Sequence, residues 1–190
     1  MLDFCGPFEV LSTTGLGEPR VREEPSPYEV VLIAESSGLV AAAGGLKVVA
    51  DYGLDDCPRL DVLLVPGGWG TREQVDNAGL LEWIRGRSRE VEIVASVCTG
   101  AMLLAAAGLL DGRRATTHDA SLDRTEASYA AVTVVRGERV VEDDPFVTSA
   151  GISAGIDLAL GLVARHHGEA VARGTASHME YPYPADVRSP

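Results

Sequence analysis

The sequence predicts a three-layer α/β fold with a mostly parallel central sheet. Several segments are apolar throughout and rich in β-branched residues, as expected for strands buried on both faces. These segments alternate along the chain with others whose apolar residues recur at helical spacing, an order typical of a parallel sheet covered by helices on both sides. The chain has 190 residues, 46% of them hydrophobic. We therefore expect a single domain over residues 1–190 with a sizeable core.

The first half of the chain contains four predicted strands and two predicted helices. Each strand is a short apolar run bounded by turn residues. The strands are Tyr28–Ser36, Leu46–Leu54, Leu60–Gly68 and Glu92–Val97. The helices are Gly79–Ser88, whose Leu and Trp residues have helical spacing, and the Ala/Leu-rich Thr99–Gly108, which ends at a glycine.

The second half continues the alternation. We predict a short strand over Arg113–His118, a helix over Ser121–Ala130 and a hairpin with a return strand over Ala131–Gly151. A long apolar helix is predicted over Ile152–Gly168, followed by another from Glu169 to about Met179 and a proline-rich tail. In a parallel sheet, ligands bind at the carboxyl ends of the strands.

Composition excludes several classes of protein. The net charge is −12 and no cluster of basic residues is present, which argues against nucleic-acid binding. The three cysteines are Cys5, Cys57 and Cys98; their odd number and long spacings favour neither a disulfide framework nor a zinc site. Free thiols suit a reducing cytoplasm. No signal peptide is recognised, and no apolar run reaches the roughly 18 residues of a membrane span.

Cys98 lies at the joint between a predicted strand and helix, within "VEIVASVCTGAMLLAAAGLL". A tight strand–helix turn holds such a side chain at the helix N-terminus, where backbone amides lower a thiol pKa. We expect Cys98 to adopt a sparsely populated backbone conformation and to act as a nucleophile. Gly100 lets the turn close, while Gly67 and Gly68 can supply amides for an oxyanion hole. The alternative for Cys98, preferred for Cys5 and Cys57, is a packed, inert thiol.

Other candidate groups are less specific. His118 ends the strand after the Cys98 helix and could reach the same pocket, or it could simply hydrogen-bond a loop. His166 and His167 lie late in a helix, where histidines usually compensate the helix dipole. Asp3 and Glu9 flank the motif "LDFCGPFEVL", and composition alone assigns no role to either.

Four motifs together resemble the ThiJ/PfpI superfamily, most closely its isonitrile hydratase branch. They are "LDFCGPFEVL", "VLLVPGGWGTR", "ASVCTGAMLLAAAGLLDGRRATTH" and "FVTSAGISAGIDLAL", which span nearly the whole chain. The resemblance implies a flavodoxin-like sandwich of the class I glutamine amidotransferase type, and a homodimer. Superfamily members include deglycases, glyoxalases, protease-like proteins and the ligand-binding halves of AraC-type regulators, so the motifs specify the fold better than the activity.

The resemblance also implies roles for individual residues. Cys98 matches the nucleophile, Asp3 the acid that meets its sulfur, and His118 a histidine that borders the pocket. The glycines whose amides face the site correspond to Gly67 and Gly68. Thr99 matches the threonine that follows the nucleophile in isonitrile hydratases; protease-like members have histidine there, so peptidase activity is not expected.

The implied activity is hydration of an isonitrile to an N-substituted formamide. The Cys98 thiolate attacks the terminal carbon, Asp3 donates a proton, and water releases the resulting thioimidate. The partner is then a small-molecule substrate, and no metal or organic cofactor is required. Two alternatives remain: a non-catalytic sensor of small molecules or thiol oxidation, and a glyoxalase or deglycase acting on methylglyoxal-type substrates.

One departure from the superfamily pattern concerns the amino end. Members have a buried strand, interior to the sheet, before the first motif, whereas Met1 directly precedes Leu2 and Asp3 here. The first strand is therefore missing from the sequence given. Its neighbours would then leave backbone groups unpaired, at about 1–3 kcal/mol for each buried group.

We predict that a chain extended upstream of Met1 by one strand and its connection is more stable than the chain beginning at Met1. The extension should also restore contact between Asp3 and Cys98. Thermal melts and pH titrations of Cys98 alkylation on both chains measure these effects. Equal melting temperatures and equal thiol pKa values would contradict the prediction.

Overall fold

The computed structural model describes residues 1–17 and 25–183, and it has the expected α/β architecture. The strands are β1 (Gly38–Ala41), β2 (Lys47–Ala50), β3 (Val62–Val65), β4 (Ile93–Val97), β5 (Arg114–Ala115), β6 (Thr133–Val134), β7 (Val140–Asp143) and β8 (Phe146–Ser149). The helices are α1 (Leu2–Thr13), α2 (Thr71–Gln74), α3 (Ala78–Arg87), α4 (Gly100–Ala106), α5 (Leu122–Ser128), α6 (Ala154–His167) and α7 (Glu169–His178), with a 3₁₀ turn over Asp119–Ser121.

The main sheet has the strand order β3-β4-β8-β7. Strands β3, β4 and β8 are mutually parallel, and β7 runs antiparallel to β8. The register places Val65 beside Ser96 and Ser96 beside Thr148. The three parallel strands therefore end at the same edge, so the loops that follow them converge there.

Helices cover both faces of this sheet. On one face α3 and α4 pack against β3 and β4, with Ile84 and Leu104 fully buried between them. On the other face α6 lies over the sheet through Leu158 and Leu162, and α1 and α7 pack against α6. All five residues of β4 are buried, which explains why this segment is apolar from end to end.

Most predicted elements are confirmed. β3 and β4 lie within Leu60–Gly68 and Glu92–Val97, and the hairpin of β7 and β8 lies within Ala131–Gly151. Helices α3 to α7 match their predicted segments within a few residues. The short helix α2 was not predicted. Arg113–His118 forms only the two-residue β5, paired with β6 in a small separate sheet. The tail beyond residue 183 lies outside the described residues.

Three elements differ from the prediction. Leu46–Leu54 contributes β2, which pairs with β1 in an antiparallel hairpin outside the main sheet. The segment "LDFCGPFEVL" forms most of helix α1, which the sequence pattern did not indicate. Tyr28–Ser36 is not a regular strand: it forms only one bridge, a parallel one between Ile33 and Tyr52. A strand needs neighbours, and this segment has a paired neighbour on one edge only.

An open slot separates this segment from the main sheet. A cavity of about 1150 Å³ runs between residues 28–35 and β3, with α1 among its walls. β3 is the terminal strand of the main sheet and pairs only with β4 among the described strands. The slot therefore lies where an interior strand would join the two halves of the sheet.

Within residues 1–17 and 25–183, no helix combines the length and the apolar character that crossing a bilayer requires.

Candidate active site

Cys98 sits in a strained turn at the carboxyl edge of the sheet. It directly follows β4 and has φ of 57°, in the left-handed region that is unfavourable for a residue with a side chain. Its amide donates to the carbonyls of Ser149 and Ala150, at 3.1 and 3.2 Å. Its carbonyl accepts a 2.8 Å hydrogen bond from the buried Thr117 hydroxyl. The predicted backbone strain is confirmed, and contacts on both sides of the residue maintain it.

Glycines let the loop after β3 approach the turn. A Cβ atom on Gly100 would lie 2.1 Å from the Val65 carbonyl oxygen, and one on Gly67 would lie 2.5 Å from the Thr99 nitrogen. Neither contact is possible for any other residue, so both positions require glycine. Gly67 and Gly68 thus lie against Thr99, the residue that follows Cys98.

The Gly68 amide is not free to act as an oxyanion-hole donor in this arrangement, because it already makes a hydrogen bond. It donates to the Thr99 hydroxyl at 3.0 Å, and the Thr99 hydroxyl lies 3.0 Å from that of Thr71. The Thr71 hydroxyl also reaches the Gly68 carbonyl at 2.8 Å. This network fixes the loop, but it already engages one of the two amides assigned to an oxyanion hole. Thr71, at the start of α2, was not singled out in the sequence.

Asp3 is buried beside the thiol. It lies in the first turn of α1 and is only 4% exposed. Its carboxyl group accepts a hydrogen bond from Cys98. The other carboxyl oxygen, Oδ2, has no hydrogen-bond partner among the described residues. The expectation that an upstream extension must restore this contact is therefore wrong, since α6 already anchors α1 in place.

The pKa of Cys98 is raised, which corrects the expected lowering. The largest cause is burial, which penalises the thiolate, followed by the negative charge of Asp3. Hydrogen bonds from the backbone amides of Thr99 and Ile152 act in the opposite direction but are outweighed. Because α4 has only seven residues, its dipole lowers the Cys98 pKa only weakly.

Ile152 is a further site residue that sequence reasoning missed. Its amide hydrogen-bonds the Cys98 sulfur. It follows β8 with φ of 53°, although it is β-branched and half exposed. Such a conformation is a genuine outlier for isoleucine. The only sequence signal was the glycine before it in "SAGIS", which marks a turn.

His118 borders the site, but among the described residues its hydrogen bond is to the Ala120 amide and not to the Cys98 thiol. Its Nδ1 accepts from the Ala120 amide at 3.2 Å, so the proton of the neutral ring is on Nε2. The ring packs on Gly151, where a Cβ atom would lie 2.4 Å from the imidazole. His118 is therefore next to the loop that carries Ile152 and hydrogen-bonds a loop amide, while its role at the pocket stays a prediction.

The remaining cysteines and histidines lie elsewhere. Cys57 is buried with its thiol donating to the Pro58 carbonyl, and Cys5 is half-buried on α1. His166 pairs with the hydroxyl of Tyr28 at 3.1 Å, with the His167 ring packed edge-on against Tyr28. The described residues contain no cluster of three or more His, Cys, Asp or Glu side chains suited to a metal ion.

Comparison with known proteins identifies the family. The sequence model of the DJ-1/PfpI family matches residues 2–165. The chain belongs to the DJ-1/PfpI family. This confirms the resemblance to the ThiJ/PfpI superfamily and the fold that it implied.

Individual DJ-1/PfpI relatives differ in function. The chain is 38% identical over 180 residues to isonitrile hydratase of Pseudomonas putida, covering 95% of this chain and 73% of that protein. It is 37% identical over 145 residues to the HTH-type transcriptional regulator CdhR of Pseudomonas aeruginosa, covering 76% of this chain but only 43% of the regulator. The crystal structure of a ThiJ/PfpI family protein from Pseudomonas syringae superposes with a TM-score of 0.82 at 30% identity, covering 100% of this chain and 74% of that one.

The geometry predicts how Asp3 controls the thiol. Asp3→Asn removes a negative charge that raises the Cys98 pKa, so the pH profile of alkylation should move to lower pH. Alkylation at neutral pH should then become faster. The measurement is the rate of iodoacetamide labelling of the Cys98 peptide against pH, followed by mass spectrometry.

Glu9→Gln is the matched control, because Glu9 lies on the exposed side of the same helix. It should leave the profile unchanged. An Asp3→Asn profile that stays in place, or that moves to higher pH, would contradict the assignment.

Proposed function

We propose that this protein is a cysteine-dependent hydratase that converts an isonitrile to an N-substituted formamide. The observation that carries the proposal is the buried pair of Cys98 and Asp3, in which the thiol is hydrogen-bonded to a carboxyl group with one unpartnered oxygen. The identity to an isonitrile hydratase supports the same reaction. In this reading the enzyme is a hydro-lyase.

The first half of the reaction joins the Cys98 sulfur to the substrate. Because burial and the neighbouring charge raise its pKa, Cys98 carries its proton as a thiol before the reaction. Asp3 accepts this proton as the sulfur attacks the terminal carbon of R–N≡C, and then delivers it to that carbon. The product is a thioimidate, R–N=CH–S–Cys98. The Ile152 amide stabilises the negative charge that develops on sulfur during the attack.

The second half consumes one water molecule. The Asp3 carboxylate takes a proton from water as the water oxygen bonds to the thioimidate carbon, and this proton passes to the substrate nitrogen. The carbon–sulfur bond of the resulting R–NH–CH(OH)–S–Cys98 then breaks, and the hydroxyl proton returns to sulfur. The formamide R–NH–CHO leaves and Cys98 is again a thiol. Every step uses the Cys98–Asp3 pair and water, so neither a metal nor an organic cofactor is needed.

The alternatives use the same thiol differently. A sensor of thiol oxidation requires a reactive thiolate, whereas Cys98 is buried and its pKa is raised. A small-molecule sensor is favoured by the likeness to a transcriptional regulator, although the chain spans less than half of that protein. A glyoxalase or deglycase would use Cys98 as nucleophile against a carbonyl carbon.

We also propose that the protein is a cytoplasmic homodimer. The homodimer follows from the family resemblance, and the location from the free thiols of the described residues. Light scattering should give twice the mass of one chain.

The test of the hydratase is direct. With cyclohexyl isocyanide as substrate, the wild-type protein should form the corresponding formamide, and Cys98→Ala should form none above background. Asp3→Asn should lower kcat by about 10²- to 10⁴-fold, the range expected for loss of a general acid–base group. Product is measured by chromatography with mass detection.

Cys5→Ser, which removes a half-buried thiol on the same helix as Asp3, is the control and should retain activity. Undiminished formamide production by Cys98→Ala would exclude the mechanism. Turnover of methylglyoxal but of no isonitrile would favour the glyoxalase or deglycase, and turnover of neither would favour the sensor.

A further inference from the structure

Cys98 lies between two loops that each carry a large, exposed apolar side chain. The strand order β3-β4-β8 puts Cys98, which follows β4, between the loop after β3 and the loop after β8. Trp69 of the first loop is 73% exposed, and Ile152 of the second is 49% exposed. Among the described residues, these are the only exposed large apolar side chains on the loops that follow the three parallel strands. Apolar groups on both sides of Cys98 favour contact with an apolar part of a substrate.

Backbone contacts fix the position of Trp69 relative to Cys98. The amide of Gly68, the residue before Trp69, donates a 3.0 Å hydrogen bond to the Thr99 hydroxyl. A Cβ atom on Gly67 would lie 2.5 Å from the Thr99 nitrogen, so the two loops are in direct contact. Thr99 is the residue after Cys98. Trp69 is therefore the first side chain beyond this contact, at the rim of the site.

Arg72 holds the indole of Trp69 from one side only. Its guanidinium carbon lies 4.0 Å from the centroid of the ring, a cation–π contact. The Arg72 amide also donates to the Trp69 carbonyl at 3.3 Å. Because the side chain is mostly exposed, the opposite face of the ring is open to solvent. A Cβ atom on Gly68 or Gly70 would meet no atom within 4 Å, so there is free space on both sides of Trp69 along the chain.

The shape of an isonitrile brings its R group to this rim. In R–N≡C the terminal carbon bonds to the sulfur, and R is attached beyond the nitrogen, away from the buried Cys98–Asp3 pair. An open indole face binds a flat, apolar group better than a saturated one, because aromatic rings stack in offset or edge-to-face arrangements. The positive charge of Arg72 disfavours a cationic R group next to the same ring.

We infer that Trp69 is the residue that determines substrate specificity, and that the preferred substrates are isonitriles with an uncharged, aromatic R group that stacks on its open face. This inference rests on the proposed hydratase activity. Ile152 lies on the other side of the R group, and Arg72 keeps the indole in place. Trp69 contacts the R group and not the reacting atoms, so its loss should act mainly on KM.

The test compares naphthyl isocyanide, cyclohexyl isocyanide and ethyl isocyanide as substrates. The wild-type protein should have its highest kcat/KM with the naphthyl compound. Trp69→Ala should lower the ratio of kcat/KM for the naphthyl over the ethyl compound about tenfold, the upper range for loss of one aromatic pair. Most of this change should be a higher KM for the naphthyl compound.

Three further variants separate stacking from apolar contact. Trp69→Phe keeps a flat face and should retain most of the ratio, whereas Trp69→Leu is apolar without a flat face and should lose it. Leu16→Ala, which removes a 60% exposed apolar side chain away from the strand ends, is the matched control and should leave the ratio unchanged. Because Trp69 is mostly exposed, its replacement should leave the melting temperature nearly unchanged.

A second measurement does not depend on isonitrile turnover. Cys98 is alkylated with N-naphthyl iodoacetamide and with iodoacetamide, and the ratio of the two rates is taken. This ratio should fall about tenfold in Trp69→Ala and stay constant in Leu16→Ala. If the wild-type protein hydrates no isonitrile while the alkylation ratio falls, the hydratase is wrong and the stacking site stands. An alkylation ratio that Trp69→Ala leaves unchanged, or a wild-type preference for cyclohexyl over naphthyl isocyanide, would overturn the inference.

Discussion

The contact between the end of β3 and the start of α4 determines the geometry of the site. The backbone of Gly100 lies so close to the Val65 carbonyl that a Cβ atom would be 2.1 Å from that oxygen. The parallel register of β3 and β4 brings these two points together. Because α4 starts against β3, the chain must turn sharply over the two residues between β4 and α4, and the first of them, Cys98, takes a left-handed conformation. The positions of Thr99, Gly67 and Thr71 follow from the same close approach.

The chemistry of the site follows from burying the Cys98 thiol beside the Asp3 carboxyl group. A helix terminus contributes about 0.3–1 kcal/mol to a nearby charge, and α4 is short. Burial of the thiol together with a carboxylate in contact has the larger effect, so the thiol pKa moves upward. The pair is therefore better suited to transferring a proton during bond formation than to presenting a permanent thiolate. This distinction separates a proton-transfer catalyst from a redox-sensing cysteine.

Sequence reasoning located the fold and the strand–helix turn at Cys98 because both have strong local signals. The buried run before Cys98 and the glycine after it predict a strand–helix turn, and the structure has one. Asp3 came only from the family resemblance, since a lone acid near the amino end has no distinguishing pattern. Thr117 and Ile152 could not be found, because their contacts with Cys98 come from residues distant in sequence. The direction of the Cys98 pKa was wrong because helix-terminus reasoning omits burial.

The strand prediction for Tyr28–Ser36 fails for a different reason. Its composition, "YEVVLIAES", is that of a buried strand, yet strand formation depends on what lies beside it. Only one edge of the segment is paired, and the other faces the slot. The apolar composition thus suits a strand with neighbours on both edges, whereas the observed conformation reflects pairing on one edge only.

The open edge of β3 also has a consequence for solubility. An unpaired, apolar strand edge is a template on which copies of a protein can join edge to edge and aggregate. The carboxylates of Glu29, Asp61 and Glu92 stand at one end of that edge, and the whole chain carries a net charge of −12. Two copies that approach through their slots therefore bring like charges together, which opposes self-association. Salt screens this repulsion over a Debye length of about 8 Å at physiological ionic strength, so the same acidic rim protects the edge less well in concentrated salt.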